Sequence, residues 1–218
     1  MVRPRLCGVI TSGGEVAIGV SSGLVDMFEL RLDLIGPAWI EVAKSLTKPW
    51  IATNRLPEEG GRWVGTEEER IAELRRAAQT GAVAVDIELA TPGLEMVAVD
   101  LKRWTQLLIS YHNLENTPPL ERVKEIVAAQ LKAGADICKV ATTACCFDDN
   151  IVILELIRSF PGSKVVAMAM GEAGRISRVI GPLVGGDFTY CALDEGAALA
   201  PGQYSAAQMA RLFGVLGL

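Results

Sequence analysis

Short, β-rich apolar runs alternate with longer stretches of helical period from one end of this chain to the other. The runs are Arg5–Thr11, Val25–Asp33, Pro49–Arg55, Ala82–Leu89, Gln106–His112, Asp136–Thr142, Lys164–Met170 and Phe188–Leu193, and each predicts a strand. Between them the apolar spacing shifts to that of a helix, as in Thr66–Thr80, Pro119–Ala133 and Asp148–Phe160. Thr66 followed by Glu69 predicts a capping box, and Gly81 and Gly134 stand where helices should stop. Eight strands, seven intervening helical segments and a last one over Ala206–Leu216 predict an α/β fold, a (β/α)8 TIM barrel. A doubly wound open sheet is the runner-up, because periodicity does not report closure. No linker, repeat or low-complexity tract divides residues 1–218, which therefore read as a single domain.

Several strands carry their charges on an unexpected side. Strand side chains alternate with a period of two. In FELRLDLIG, Glu29, Arg31 and Asp33 share one face, and Leu30, Leu32 and Leu34 share the other. In AVAVDIELA, Asp86 and Glu88 oppose Val85, Ile87 and Leu89. Ile51, Thr53 and Arg55 form a third set, Ser110 and His112 lie opposite Tyr111, and Ile137, Lys139 and Ala141 share a face. In a barrel the apolar face meets the helices, so five strands send polar or ionisable side chains inward near their carboxyl ends. Barrel enzymes place their chemistry there. Burying that many charges is costly unless they are paired or put to use, and active sites are where such groups cluster.

Composition narrows the choice further. Half of the 218 residues are apolar and 22% are charged, ample for a core and unlike a disordered chain. A formal charge of −5, without a basic run, argues against a nucleic-acid partner. The opening MVRPRLCGVITSGG is too short in its apolar stretch for a signal peptide, and no segment approaches the ~20 apolar residues of a membrane helix. The expected location is cytoplasmic, with no membrane partner. The five cysteines, Cys7, Cys138, Cys145, Cys146 and Cys191, are odd in number and lack CxxC spacing. With a single histidine they do not make a zinc site, so they read as buried thiols of a reducing compartment.

That histidine, His112, ends one predicted strand, and Lys139 lies within the apolar run of the next. An amine and an imidazole on consecutive strands are the parts of imine chemistry with acid–base help. A lysine must shed a proton to attack a ketone, which an apolar site or cationic neighbours favour. Ile137, Val140 and Ala141 supply the first, and Arg31, Arg55 or Arg178 the second. A carboxylate should orient the imidazole, and Glu59, Asp86 and Glu88 are all candidates.

The segments ELRLD (29–33), RLPEEGG (55–61), DIEL (86–89), SYHN (110–113), CKVAT (138–142), GRISR (174–178) and APGQ (200–203) span nearly the whole chain. Together, and in this order, they resemble type I 3-dehydroquinate dehydratase in its compact form, without a leading hairpin. The resemblance implies a (β/α)8 barrel that converts 3-dehydroquinate to 3-dehydroshikimate in aromatic amino-acid biosynthesis. Lys139 matches the family's Schiff-base lysine and His112 its general acid and base. Arg178 matches the arginine that grips the substrate carboxylate, for which a planar fork of donors is suited. Arg175 reads as its solvent-facing neighbour. Glu29, Arg31, Arg55 and Gln203 correspond to residues that bind hydroxyls and fix the ring. Gln203 falls in a last loop whose Gly196, Pro201 and Gly202 suit a lid. No cofactor or metal is implied, and the family expectation is a homodimer, with Trp39, Trp50, Trp63 and Trp104 available for interface or packing.

The chain departs from that pattern twice. Leu199 stands where many members have a serine four residues before the glutamine, and the family's early serine has no clear equivalent around Val9–Ser12. The competing readings are another imine-forming barrel acting on a small sugar phosphate, with Gly171–Gly174 near the phosphate, and a non-catalytic barrel that binds a small acid. Keeping both His112 and Lys139 speaks against the second.

Overall fold

The structure, a computed structural model, describes residues 3–12, 23–194 and 199–218. Among the described residues, eight strands are present: β1 (Leu6–Ile10), β2 (Met27–Arg31), β3 (Trp50–Thr53), β4 (Ala84–Glu88), β5 (Gln106–His112), β6 (Ile137–Thr143), β7 (Val165–Met170) and β8 (Thr189–Ala192). All pair in parallel, in the order β7-β6-β5-β4-β3-β2-β1-β8. Asp187, just ahead of β8, donates its backbone N–H to Val165 O at the start of β7, so the two outer strands meet and the sheet closes on itself. This is the (β/α)8 TIM barrel rather than the open sheet.

The helices follow their strands. A short turn α1 (Leu32–Ile35) and α2 (Trp39–Ser45) come after β2, α3 (Glu67–Thr80) after β3 and α4 (Leu94–Leu101) after β4. Then come α5 (Leu120–Lys132), α6 (Asp149–Arg158), α7 (Arg175–Ile180) and α8 (Ala206–Val215). The capping box of α3 forms as expected: Glu69 N donates to Thr66 Oγ1 at 3.2 Å, and Thr66 N donates to Glu69 Oε2 at 2.8 Å. Gly81, at φ 114°, ends that helix in a conformation that side-chain-bearing residues avoid. A second capping box, Ser205 with Gln208, starts α8.

The core has two shells. Outward strand residues such as Leu30, Val85, Ile87 and Leu107 form one layer with Leu74, Ala77, Met209 and Phe213 of the helices. Inside the barrel, Met27, Ala84, Leu108, Ile137, Val166 and Phe188 fill the amino ends of the strands. Above that floor, polar and charged side chains join the inward positions.

Two expectations need correction. The strand predicted over Val25–Asp33 stops at Arg31, and Asp33 falls in α1. There its carboxylate turns back to receive Arg31 Nε at 2.9 Å and Nη2 at 2.7 Å, so it braces that arginine instead of extending the inward face. Cys7, Cys138 and Cys191 are buried, but Cys145 and Cys146 are exposed, because they occupy the turn beyond β6 whose amides Asp149 Oδ2 accepts. Trp39 and Trp50 are core residues with ring centroids 6.2 Å apart, and only Trp104 among the four is largely exposed. Among the described residues, no helix is long and apolar enough to cross a membrane.

Candidate active site

The carboxyl ends of the strands surround a cavity of about 200 Å³. Glu29 and Arg31 of β2, Arg55 and Glu59 beyond β3, His112 of β5 and Lys139 of β6 line it, with Arg178 of α7 and Gln203 of the last loop. Of the residues expected at the site, only Asp86 and Glu88 stay off its wall, buried behind Arg55. Gly196 lies outside the described residues.

Strand register sets the two central groups side by side. Ser110 of β5 is level with Lys139 of β6, so His112 sits one inward position nearer the mouth. Gln130 of α5 holds Lys139 from outside the barrel, donating Nε2–H to its carbonyl at 2.8 Å. Lys139 Nζ lies 2.9 Å from Asp86 Oδ2 and 3.3 Å from Glu29 Oε1. Two carboxylates therefore stand against it, and one of the arginines the sequence pointed to is close by, since Arg55 Nη2 reaches the same Asp86 Oδ2 at 2.6 Å.

Among the three carboxylates that competed for His112, Glu59 is the one in contact. Its Oε2 lies 2.7 Å from Nδ1 and also accepts the His112 backbone N–H at 3.0 Å. The loop that carries Glu59 is drawn tight by Gly61, whose N–H donates to Leu56 O and where an added Cβ would sit 2.0 Å from Arg55 O. Burial, reinforced by the charges of Arg55 and Lys139, holds His112 well below its ordinary value, so the ring is neutral near pH 7. With Nδ1 engaged by Glu59, Nε2 is left with the lone pair of a general base. Burial also pushes the Glu59 carboxyl up to about 7, against the pull of Arg55.

Behind the wall runs a buried ion network. Arg55 donates to Asp86 at 2.6 Å, to Glu88 at 2.9 Å and to Ser110 Oγ at 2.7 Å. Burial alone would raise Asp86, but the charges of Arg55 and Lys139 override it and keep the carboxylate ionised. Glu88 is shared with Arg70 of α3, a wholly buried arginine that also donates to Thr91 Oγ1 and to Asn54 O. Since Glu88 also accepts Leu56 N–H at 3.1 Å, the network ties α3 and β4 to the loop that holds Glu59.

Arg178 is built differently. It is buried, and among the described residues its Nε and Nη2 have no hydrogen-bond partner, while Nη1 only approaches Met168 Sδ at 3.3 Å. Burial, then the charge of Arg175, bring it down to about 10. An arginine facing a cavity with idle donors is prepared for an anion. Arg175 does not line the cavity: it pairs with Glu172 at 3.0 Å and stacks 4.3 Å above the Tyr204 ring. The last loop is fastened to the loop after β7, where Gly171 N donates to Pro201 O at 2.9 Å. Gln203 Oε1 accepts Leu199 N–H at 2.9 Å, and Leu199 itself lines the mouth with Leu114 and Met170.

Val9, Met168, Met170 and Tyr190 also line the cavity, and sequence reasoning passed over them. Apolar and aromatic residues at inward positions give the same signal as core. Only the shared alternation with Lys139 and His112 could have marked them.

Parallel barrels that gather ionisable groups at the carboxyl ends of their strands are, as a class, enzymes, and the fold and cavity put this chain among them. A profile described as Type I 3-dehydroquinase matches residues 15–218. A 3-dehydroquinate dehydratase of Dehalococcoides mccartyi is 43% identical over 213 residues, covering 98% of this chain and 96% of the relative. The solved 3-dehydroquinate dehydratase of Aquifex aeolicus superposes with a TM-score of 0.80 at 31% identity, over 95% of this chain and 96% of that one. A type I 3-dehydroquinate dehydratase from Clostridium difficile shares the fold, with a TM-score of 0.87 at 23% identity over 99% and 93% of the two chains. The chain belongs to the type I 3-dehydroquinase family, whose members are dehydratases, a kind of lyase.

Proposed function

We propose that this chain removes water from 3-dehydroquinate to give 3-dehydroshikimate, a step of the shikimate pathway, through an imine on Lys139 with His112 as acid and base. The observation that carries this reading is the meeting of Lys139, His112 and the idle guanidinium of Arg178 in one small cavity. The substrate carboxylate pairs with Arg178, and Glu29, Arg31, Arg55 and Gln203 receive the hydroxyls.

Neutral His112 takes a proton from Lys139, becoming imidazolium and freeing the amine lone pair, which forms the carbon–nitrogen bond at the ketone. The ketone oxygen leaves as water, carrying one proton from the nitrogen and one from the imidazolium form of His112. The nitrogen keeps one hydrogen and a positive charge. That cation acidifies the adjacent carbon, whose proton passes to neutral His112. The electron pair then expels the hydroxyl from the next carbon, and His112 returns the proton so that a second water departs. Hydrolysis of the imine, consuming one water, restores Lys139 and releases the conjugated enone. Glu59 holds the histidine tautomer, while Asp86 and Glu88 fix Arg55.

The reading extends to one catalytic domain over residues 1–218, working in the cytoplasm as a homodimer on this small molecule without cofactor, metal, nucleic acid or membrane. The test is borohydride added together with 3-dehydroquinate. The expected result is a reduced adduct on the Lys139 peptide by mass spectrometry, with enone absorbance when borohydride is left out. An adduct on another lysine, or none, overturns the proposal.

A further inference from the structure

Lys139 Nζ has a third neighbour besides its two carboxylates. The ring of Tyr190 lies beneath it, 4.4 Å from nitrogen to ring centroid. Tyr190 belongs to β8, is 4% exposed and lines the cavity. Phe188, one inward position lower, packs against that ring with centroids 5.2 Å apart at 70°. The hydroxyl has no hydrogen-bond partner among the described residues, so packing rather than the oxygen fixes where the ring stands.

An aromatic face attracts a cation without needing a hydrogen on it. The two carboxylates act otherwise. An ammonium has three N–H donors, enough for Asp86 and Glu29 together. A protonated imine keeps the positive charge and has one N–H. It satisfies one of the two carboxylates by a hydrogen bond and leaves the other facing a carbon substituent. The π face loses nothing in that change, so its share in holding the charge grows as the hydrogen bonds fall away.

We propose that Tyr190 is a further catalytic residue, whose ring face stabilises the positive charge on the Lys139 nitrogen once it has become an imine. The inference rests on the reading that Lys139 forms that imine.

The test replaces Tyr190 by phenylalanine and then by mono-, di- and trifluorinated phenylalanines, which keep the ring's shape and drain its face of negative potential. With 3-dehydroquinate present, borohydride traps the imine, and the adduct is counted by intact mass. Tyr190→Phe sets the reference, and trapping in the fluorinated series should fall stepwise below it by roughly 2- to 30-fold in all. A steric or merely structural role would leave that series level, and a level series overturns the proposal. Absence of adduct in the parent protein is a different failure: it overturns the imine reading itself.

Discussion

Glu59→Gln separates what this carboxylate does for the fold from what it does for the reaction. Burial lifts its carboxyl from 4.5 to about 7. In the unfolded chain the same group ionises near its ordinary value. Between about pH 4.5 and 7 the folded protein therefore keeps a proton that the unfolded chain has released. Stability from this position declines as pH climbs through that window and is level above it. Each pH step is about 1.4 kcal/mol, which puts the burden of the buried carboxylate at roughly 3 kcal/mol above pH 7. The glutamine variant carries no such burden. In urea unfolding at pH 4.5, 6 and 8 the variant should match the parent at the lowest pH and gain up to about 3 kcal/mol at the highest. Its turnover should fall about 10- to 100-fold, because an amide orients the imidazole less firmly than a carboxylate does. Stability curves that run parallel across the three pH values would refute the burial argument. Unchanged turnover would refute the orienting role.

Three further outcomes follow from the geometry. His112→Ala should slow elimination by about 10²- to 10⁴-fold while borohydride still traps the imine, and normal turnover would remove the histidine from the chemistry. Arg178→Ala should weaken substrate binding by about 2–5 kcal/mol, seen as a raised Michaelis constant; a normal constant would place the carboxylate elsewhere. Arg70→Leu strips Glu88 of one of its two buried arginine partners and should cost about 3–5 kcal/mol in urea unfolding, whereas a loss below 1 kcal/mol would mean that water compensates.

The barrel was legible because its strands invert the usual alternation. Glu29 and Arg31, then Asp86 and Glu88, had to face inward once their apolar neighbours were assigned to the helices, and the structure places them so. The carboxyl ends were therefore readable before any closure was visible. What escaped the sequence depends on distances between segments far apart in the chain. Periodicity does not decide which of three acids touches His112, because Glu59 arrives on a turn whose path is set by Gly61. Lys139 gained two carboxylates because β2 and β4 stand within its reach across the barrel. Arg70 had a faint signal. It falls in line with Leu74 and Ala77 on the apolar stripe of α3, a poor place for a charge unless something inside meets it. The floor gave no such hint, since Leu108 or Val166 would look the same in any buried strand.

That floor shapes traffic. With Met27, Ile137, Val166 and Phe188 stoppering one end, the barrel is a cul-de-sac and not a conduit. Among the described residues, Leu114, Met170 and Leu199 rim the opening that reactant, enone and the water set free must share. A fresh molecule cannot push a spent one out from behind. Each turnover has to empty the vessel before refilling it, so an excess of product should obstruct the enzyme by simple occupancy of the same doorway.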